Sequence, residues 1–265
     1  MSQQPIGVFD SGIGGLTVLK ELLARLPNET FVYFGDTARV PYGNKSADTI
    51  RRFSSENVKL LLERGVKMVV VACNTATADA LPRLQSEFKL PIIGVIQPGV
   101  RAALAATHSG RIGVIGTSGT IRSMAYQNGI LAVRPDARVV SKACPLFVPL
   151  VEEGWTDTQV TRLVVEEYLK PLAGLDIDTL VLGCTHYPLL KTVIGALLGD
   201  GVTLVDSAVE ISREVAVVLE EHKLASKGPG GHFDIILSDT SPTFAEIASR
   251  FLGRRAPEIE LVSVR

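Results

Sequence analysis

Two cysteines stand out for their surroundings. Cys73 ends the apolar run Met68-Val69-Val70-Val71-Ala72 and precedes Asn74-Thr75-Ala76-Thr77-Ala78, where Asn or Thr can cap a helix. Cys184 repeats the arrangement: Leu180-Val181-Leu182-Gly183 leads into it and Thr185-His186-Tyr187-Pro188 follows, with Pro188 suited to a first helical turn. Each thiol is therefore expected at the C-terminal end of a strand, the edge at which open α/β sheets bind ligands. The partial positive charge of a following helix is expected to lower a thiol's pKa from its reference of about 8.5. An isolated cysteine after a strand is ordinarily a core residue, but the same strand-cysteine-polar-helix pattern found twice points to function. If two lobes face each other, Cys73 and Cys184 can flank one ligand. The chemistry that needs two such groups is removal of a proton from carbon on one face and its return to the other, because a single base tends to return the proton where it came from. A weakly acidic carbon further demands fixed hydrogen-bond donors and exclusion of water.

Other residues support this or stand apart from it. His186 sits beside Cys184 and can stabilise a thiolate or share a proton. Cys144, in Ala143-Cys144-Pro145-Leu146, lacks the pattern and is read as structural. Asp10-Ser11-Gly12-Ile13-Gly14-Gly15 is not a dinucleotide fingerprint, since Thr17 stands where the third glycine belongs. Its amides can still cradle a carboxylate, and Asp10 can orient a thiol or bind an ammonium group. No lysine has a pyridoxal phosphate context and no cysteine or histidine spacing matches a zinc motif, so neither a cofactor nor a metal is expected.

The elements that must position these groups alternate in type. Short apolar runs at 6–9, 30–34, 68–72, 92–96, 112–115, 179–182, 202–205 and 233–237 read as strands separated by amphipathic helices, the signature of a mostly parallel sheet. One such helix is expected over 46–64, closed by Gly65. The chain also reads as internally duplicated, since a glycine-bearing strand opens each half (Gly7-Val8-Phe9 and Gly113-Val114-Ile115) and a cysteine follows each at a similar interval. Pro91 and Pro98-Gly99 bracket the crossing into the second half. A long helix after Asp206-Ser207-Ala208 can carry the chain back, so that the C-terminal strands rejoin the first lobe. The expected lobes are 1–97 with 208–265, and 98–207. Lys223 to His232 reads as a mobile surface loop.

With 265 residues, 46% of them hydrophobic, the chain can bury a real core. Its 27 basic and 28 acidic residues nearly cancel and are scattered, which argues against a nucleic-acid or membrane surface and favours a small polar ligand. No apolar run approaches the roughly 20 residues of a membrane span, and Met1-Ser2-Gln3-Gln4 lacks signal-peptide character. The three cysteines form no C-x-x-C pair, which suits free thiols in a reducing, cytoplasmic compartment.

Five segments in order, Phe9 to Val18, Tyr33-Phe34-Gly35-Asp36, Pro41-Tyr42-Gly43, Ala72 to Ala76 and Gly183 to Pro188, resemble the glutamate racemases of the cofactor-independent aspartate/glutamate racemase superfamily. The resemblance implies an α/β fold of two pseudosymmetric lobes, each a mostly parallel sheet flanked by helices, with the active site in the cleft. It implies Cys73 and Cys184 as the proton-transferring pair, with Cys73 serving the D form. It also implies Asp10, His186 and Glu152 as assisting groups, although Glu153 adjoins Glu152. By the same matching, Asp10, Ser11, Tyr42, Gly43, Asn74, Thr75, Thr185 and His186 would meet the substrate, glutamate. Thr117 and Thr120 are plausible further contacts. The implied role is supply of D-glutamate for peptidoglycan, hence for cell-wall biogenesis and cell shape, by a homodimer. Some members carry an N-terminal extension associated with activation by a cell-wall precursor; the chain starts almost at its first strand, so regulation of that kind is not expected. The rival readings are an aspartate racemase, which usually has Glu rather than His-Tyr-Pro after the second Cys-Thr, a cysteine-dependent decarboxylase and a non-catalytic amino-acid-binding module.

Overall fold

The computed structural model describes residues 3–228 and 231–264. It comprises two compact units, one formed by the chain up to Val95 together with the chain from Ala208 onward, the other by Ile96–Ser207. The first unit begins with β1 (Ile6–Asp10), α1 (Leu16–Arg25), β2 (Phe31–Gly35), α2 (Ala47–Glu63), β3 (Met68–Val71), α3 (Asn74–Glu87) and β4 (Ile92–Gly94). The second contains α4 (Ile96–Ala106), β5 (Arg111–Gly116), α5 (Ser118–Arg122), α6 (Ala125–Val133), β6 (Arg138–Ala143), α7 (Phe147–Glu152), α8 (Gln159–Ala173), β7 (Thr179–Gly183), α9 (Lys191–Leu198) and β8 (Thr203–Asp206). α10 (Ser207–Glu221) then leads to β9 (Phe233–Leu237), α11 (Phe244–Leu252) and β10 (Ile259–Leu261).

Among the described residues the first sheet has the order β10-β9-β2-β1-β3-β4 and the second β6-β5-β7-β8, with every neighbouring pair parallel. β1, β2, β3 and β7 are buried at every position, as strands must be when both faces are covered by helices, which is why they read as continuous apolar runs.

Duplication is visible in the register. β4-β3-β1-β2 and β8-β7-β5-β6 are the same order, with the same parallel sense. In the first unit Gly7 pairs with Val69, and in the second Gly113 pairs with Leu180. Cys73 is the fourth residue after Val69 and Cys184 the fourth after Leu180. The two cysteines thus occupy matching positions, each past the end of the strand beside its unit's first.

All eight expected strands are present, with two differences around them. β6 and β10 were not anticipated: neither has a buried position, so neither carries an apolar run. The run at 92–96 ends early, because Ile96 opens α4 and places Pro98 and Gly99 within that helix rather than in a linker. Proline is tolerated there, since first-turn N–H groups lack intrahelical partners. The helix expected over 46–64 is α2, with Ser46 capping the Thr49 N–H.

The loop expected over 223–232 is tied down at its start. Lys67 and Glu29, an almost wholly buried ion pair at 2.5 Å, reach it through Lys67 Nζ donating to the Leu224 carbonyl (2.8 Å) and Glu29 Oε1 accepting from Ser226 N–H (2.7 Å). Pro229 and Gly230 lie outside the described residues.

Candidate active site

In the first unit the candidate groups gather at the C-terminal ends of β1 and β3. Cys73 caps α3, its Sγ accepting from the Ala76 N–H at 3.5 Å and lying 3.6 Å from Ser11 Oγ. Asn74 and Thr75 form the first turn of α3 and are nearly buried. Asp10 ends β1, and its Oδ2 accepts from the Gly12 N–H at 3.0 Å. Tyr33 pins the same glycine turn by donating to the Gly12 carbonyl at 2.7 Å. Gly15 must be glycine for space: a Cβ there would lie 2.5 Å from Asp10 Cβ and 3.0 Å from the Tyr33 hydroxyl.

The electrostatics at Cys73 reverse the expectation of a lowered pKa. Burial, then the neighbouring Asp10 carboxylate, push the thiol up to about 12, and the Ala76 N–H and the Ser11 contacts only partly oppose them. The helix N-terminus is in place, but one cap hydrogen bond does not offset removal of a thiolate from water beside a carboxylate. Burial, then Asp10 and Cys73, likewise keep Tyr33 a phenol.

Tyr42 and Gly43 lie in a short 3-10 turn, Tyr42–Asn44, packed against α3. The Tyr42 hydroxyl donates to Asp36 and accepts from Asn57 Nδ2 at 3.1 Å. Asp36 is fully buried and also accepts from Arg39 Nε (2.8 and 2.9 Å) and Ser238 Oγ (3.1 Å). The sequence pattern assigned no part to Asp36 or Tyr33. The available signal was a charged residue closing the apolar strand Phe31–Gly35.

In the second unit Cys184 follows β7, and its Sγ lies 3.8 Å from His186 Nδ1. Thr185 Oγ1 is 3.5 Å from the same nitrogen. On the ring's other side His186 Nε2 meets Glu152 Oε1 at 2.9 Å, so of the adjacent acids Glu152 and Glu153 it is Glu152, at the end of α7, that reaches the imidazole. Burial disfavours a charged His186, but its hydrogen bonds to Cys184 and Glu152 outweigh that and push it up to about 10. The shift favours the protonated ring, whose two N–H groups would face Glu152 at Nε2 and the Cys184 sulfur at Nδ1.

Unlike Cys73, Cys184 does not cap an α-helix. A single 3-10 turn, Tyr187–Leu190, intervenes before α9 and holds Pro188. His186, rather than a helix N-terminus, is the group beside the sulfur on this side. Cys144 is buried, its thiol donating to the Lys142 carbonyl at 3.7 Å, and burial pushes it up to about 12. Thr117, the counterpart of Ser11 in the matched register, caps α5 by accepting from the Thr120 N–H at 3.2 Å. Among the described residues no three His, Cys, Asp or Glu side chains cluster as metal ligands.

The family model for Asp/Glu/Hydantoin racemase matches residues 6–214. The chain belongs to the Asp/Glu/hydantoin racemase family. This racemase-family chain is 52% identical over 265 residues to a glutamate racemase of Geobacter metallireducens, covering 100% of this chain and 98% of that protein. It is 51% identical over 264 residues to a glutamate racemase of Neisseria meningitidis, covering 99% and 97%. Among solved structures, the glutamate racemase of Francisella tularensis in complex with D-glutamate superposes with a TM-score of 0.94 at 39% identity, covering 100% of this chain and 99% of that one. The racemase-family span holds both matched cysteines and every candidate residue named above, and it stops within α10, before β9. No helix among the described residues is long and apolar enough to cross a membrane.

Proposed function

We propose that this protein interconverts L-glutamate and D-glutamate without a cofactor, by proton transfer between the substrate's α-carbon and the thiols of Cys73 and Cys184. The observation that carries this reading is the matched register of the two cysteines. Inversion requires the proton to leave one face of the α-carbon and return to the other, so each thiol serves one face. A thiolate takes the α-proton, the electron pair stays on the α-carbon conjugated with the carboxylate, and the opposed thiol delivers its own proton. The sulfurs exchange protonation states in each turnover, Cys73 serving the D enantiomer and Cys184 the L.

The assisting groups differ on the two sides. His186, fixed by Glu152, presents a cationic N–H to the Cys184 sulfur once that sulfur has given up its proton. Asp10 opposes ionisation of Cys73, and an α-ammonium group bound beside Asp10 offsets that charge. Ser11, Asn74, Thr75 and Thr185 supply donors for the substrate's carboxylates, and the Tyr42-Gly43 turn supplies backbone, the Tyr42 hydroxyl being engaged by Asp36. The enzyme acts in the cytoplasm as a homodimer, and its D-glutamate is consumed in peptidoglycan synthesis.

The test is a polarimetric assay on L-glutamate and on D-glutamate with purified, chelator-treated protein. Both should decay to zero rotation, and Cys73→Ala and Cys184→Ala should each abolish the decay while far-UV circular dichroism is unchanged. Racemisation persisting in both variants would exclude the two-thiol mechanism. Turnover of aspartate in place of glutamate would reassign the substrate.

A further inference from the structure

His186 and Tyr187 are consecutive, and they hold opposite ends of one segment. His186 Nε2 meets Glu152 at the C-terminal end of α7. The Tyr187 hydroxyl donates to the Cys144 carbonyl at 2.8 Å, just ahead of that helix. The Tyr187 ring also stands edge-on to Phe147, the first residue of α7, at 5.2 Å, and Phe147 stands edge-on to Tyr168 of α8 at 5.3 Å. Tyr187 and Phe147 are fully buried.

α7 needs external support. It spans only Phe147–Glu152, contains Pro149 and has no side-chain N-cap hydrogen bond. So short a helix does not hold its own geometry in water. Glu152 is 43% exposed, and a half-exposed carboxylate gains little from an ion pair unless its approach is fixed. The segment following Cys184 provides that fixing from the same backbone that carries His186. Burial first, then Cys184, Cys144 and Tyr168, keep the Tyr187 phenol protonated and hence a donor.

We propose that Tyr187 is a positioning residue for the Glu152–His186 pair: by tying the start of α7 to the turn after Cys184, it sets the distance at which Glu152 meets the imidazole. This deepens the racemase reading and rests on it only for the effect on rate. The charged and titratable groups around the pair include Cys184 beside His186 and, around Tyr187, Cys144 and Tyr168, with Lys142 acting on Cys144 and lying over the Tyr168 ring.

The test follows the ring-carbon NMR resonance of His186, identified by its loss in His186→Gln, as a function of pH in wild type, Tyr187→Phe, Glu152→Gln and the double variant. Tyr187→Phe keeps the ring and removes only the hydroxyl. Its His186 midpoint should move down by less than that of Glu152→Gln, roughly a few tenths of a unit, with the alkaline limb of kcat/KM moving alongside it. The double variant should move little further than Glu152→Gln alone, because both act on one contact. A wild-type midpoint in Tyr187→Phe, or fully additive shifts in the double variant, would overturn the proposal. Should Tyr187→Phe fail to fold, Phe147→Leu tests the same tie and must lower the midpoint. The resonance does not depend on turnover, so an inactive wild-type protein would refute the racemase reading while leaving this comparison decisive.

Discussion

Substituting Gly15 by alanine tests how tightly the glycine turn holds Asp10 beside Cys73. Gly15 has φ −63° and ψ −9°, a conformation that alanine also favours, so any cost is steric rather than conformational. The new Cβ would lie 2.5 Å from Asp10 Cβ, 3.0 Å from the Tyr33 hydroxyl and 3.1 Å from Ala72 Cβ. None of these can easily yield, since Asp10 and Ala72 are anchored by backbone hydrogen bonds and Tyr33 by its bond to the Gly12 carbonyl. Overpacking of this kind costs about 1–3 kcal/mol, and the reduced freedom of the unfolded chain returns about 0.4–1 kcal/mol. The difference between the midpoints, a net loss of about 1.3 kcal/mol, corresponds to a fall in Tm of roughly 3–5 °C for a protein of this size. Displacing the Asp10 carboxylate by a fraction of an ångström should also slow racemisation about 10- to 100-fold, since a 1 Å misplacement can cost about 100-fold. Thermal melts and racemisation rates on Gly15→Ala, with Gly174→Ala as the control, provide the assay. A Cβ added to Gly174 would meet nothing within 4 Å, and its φ is negative, so that substitution should be neutral or slightly stabilising. Wild-type Tm and rate in Gly15→Ala would refute the claim that close packing at the turn sets the position of Asp10.

Two further expectations follow from the electrostatics. His186 is raised from 6.5 to about 10, so its stabilisation is complete below about pH 6.5 and is lost as the pH rises through about 10. Glu152→Gln should therefore lower stability to urea most at acidic to neutral pH, and the gap from wild type should close towards pH 10; a gap that widens with pH would contradict this sign. A hydrogen bond to a charged group is worth about 1.5–3 kcal/mol, reduced here by the exposure of Glu152, so the His186 midpoint should fall by about one unit or less. Cys73, raised from 9.0 to about 12, is about 1000-fold less ionised at pH 7 than an unperturbed thiol. Its alkylation, followed by mass spectrometry of the peptide, should accelerate about tenfold per pH unit up to the point of unfolding, and a plateau near pH 9 would show that Asp10 and burial do not act as described.

Much of the fold was legible because a parallel sheet covered on both faces writes its strands as uninterrupted apolar runs. β6 and β10 escaped because neither has a buried position and so neither writes such a run, whereas β4 and β8, also at sheet edges, keep buried residues. The matched cysteines were legible from local context alone, since strand, cysteine, polar residue and helix start lie within about ten residues of each other. The direction of the Cys73 shift was not, because it depends on Asp10 from another strand and on burial, while only the favourable cap was visible locally. The links from Tyr187 to Cys144 and from Ser238 to Asp36 were invisible for the same reason: the partners are far apart in sequence and join through packing. Glu152 was picked out over its neighbour Glu153 only by resemblance, and its contact with His186 depends on α7, which the local sequence does not show.

The most direct measurement of the two-thiol claim is incubation with L-glutamate in D₂O, with no cofactor and with chelator present, following optical rotation and the α-proton NMR signal together. Loss of rotation accompanied by deuterium at the α-carbon of the D-glutamate formed is the expected result, because the proton delivered comes from a solvent-exchanged thiol opposite the one that abstracts. Loss of rotation with the α-proton retained would contradict it, since the hydrogen would then be carried across by a single group.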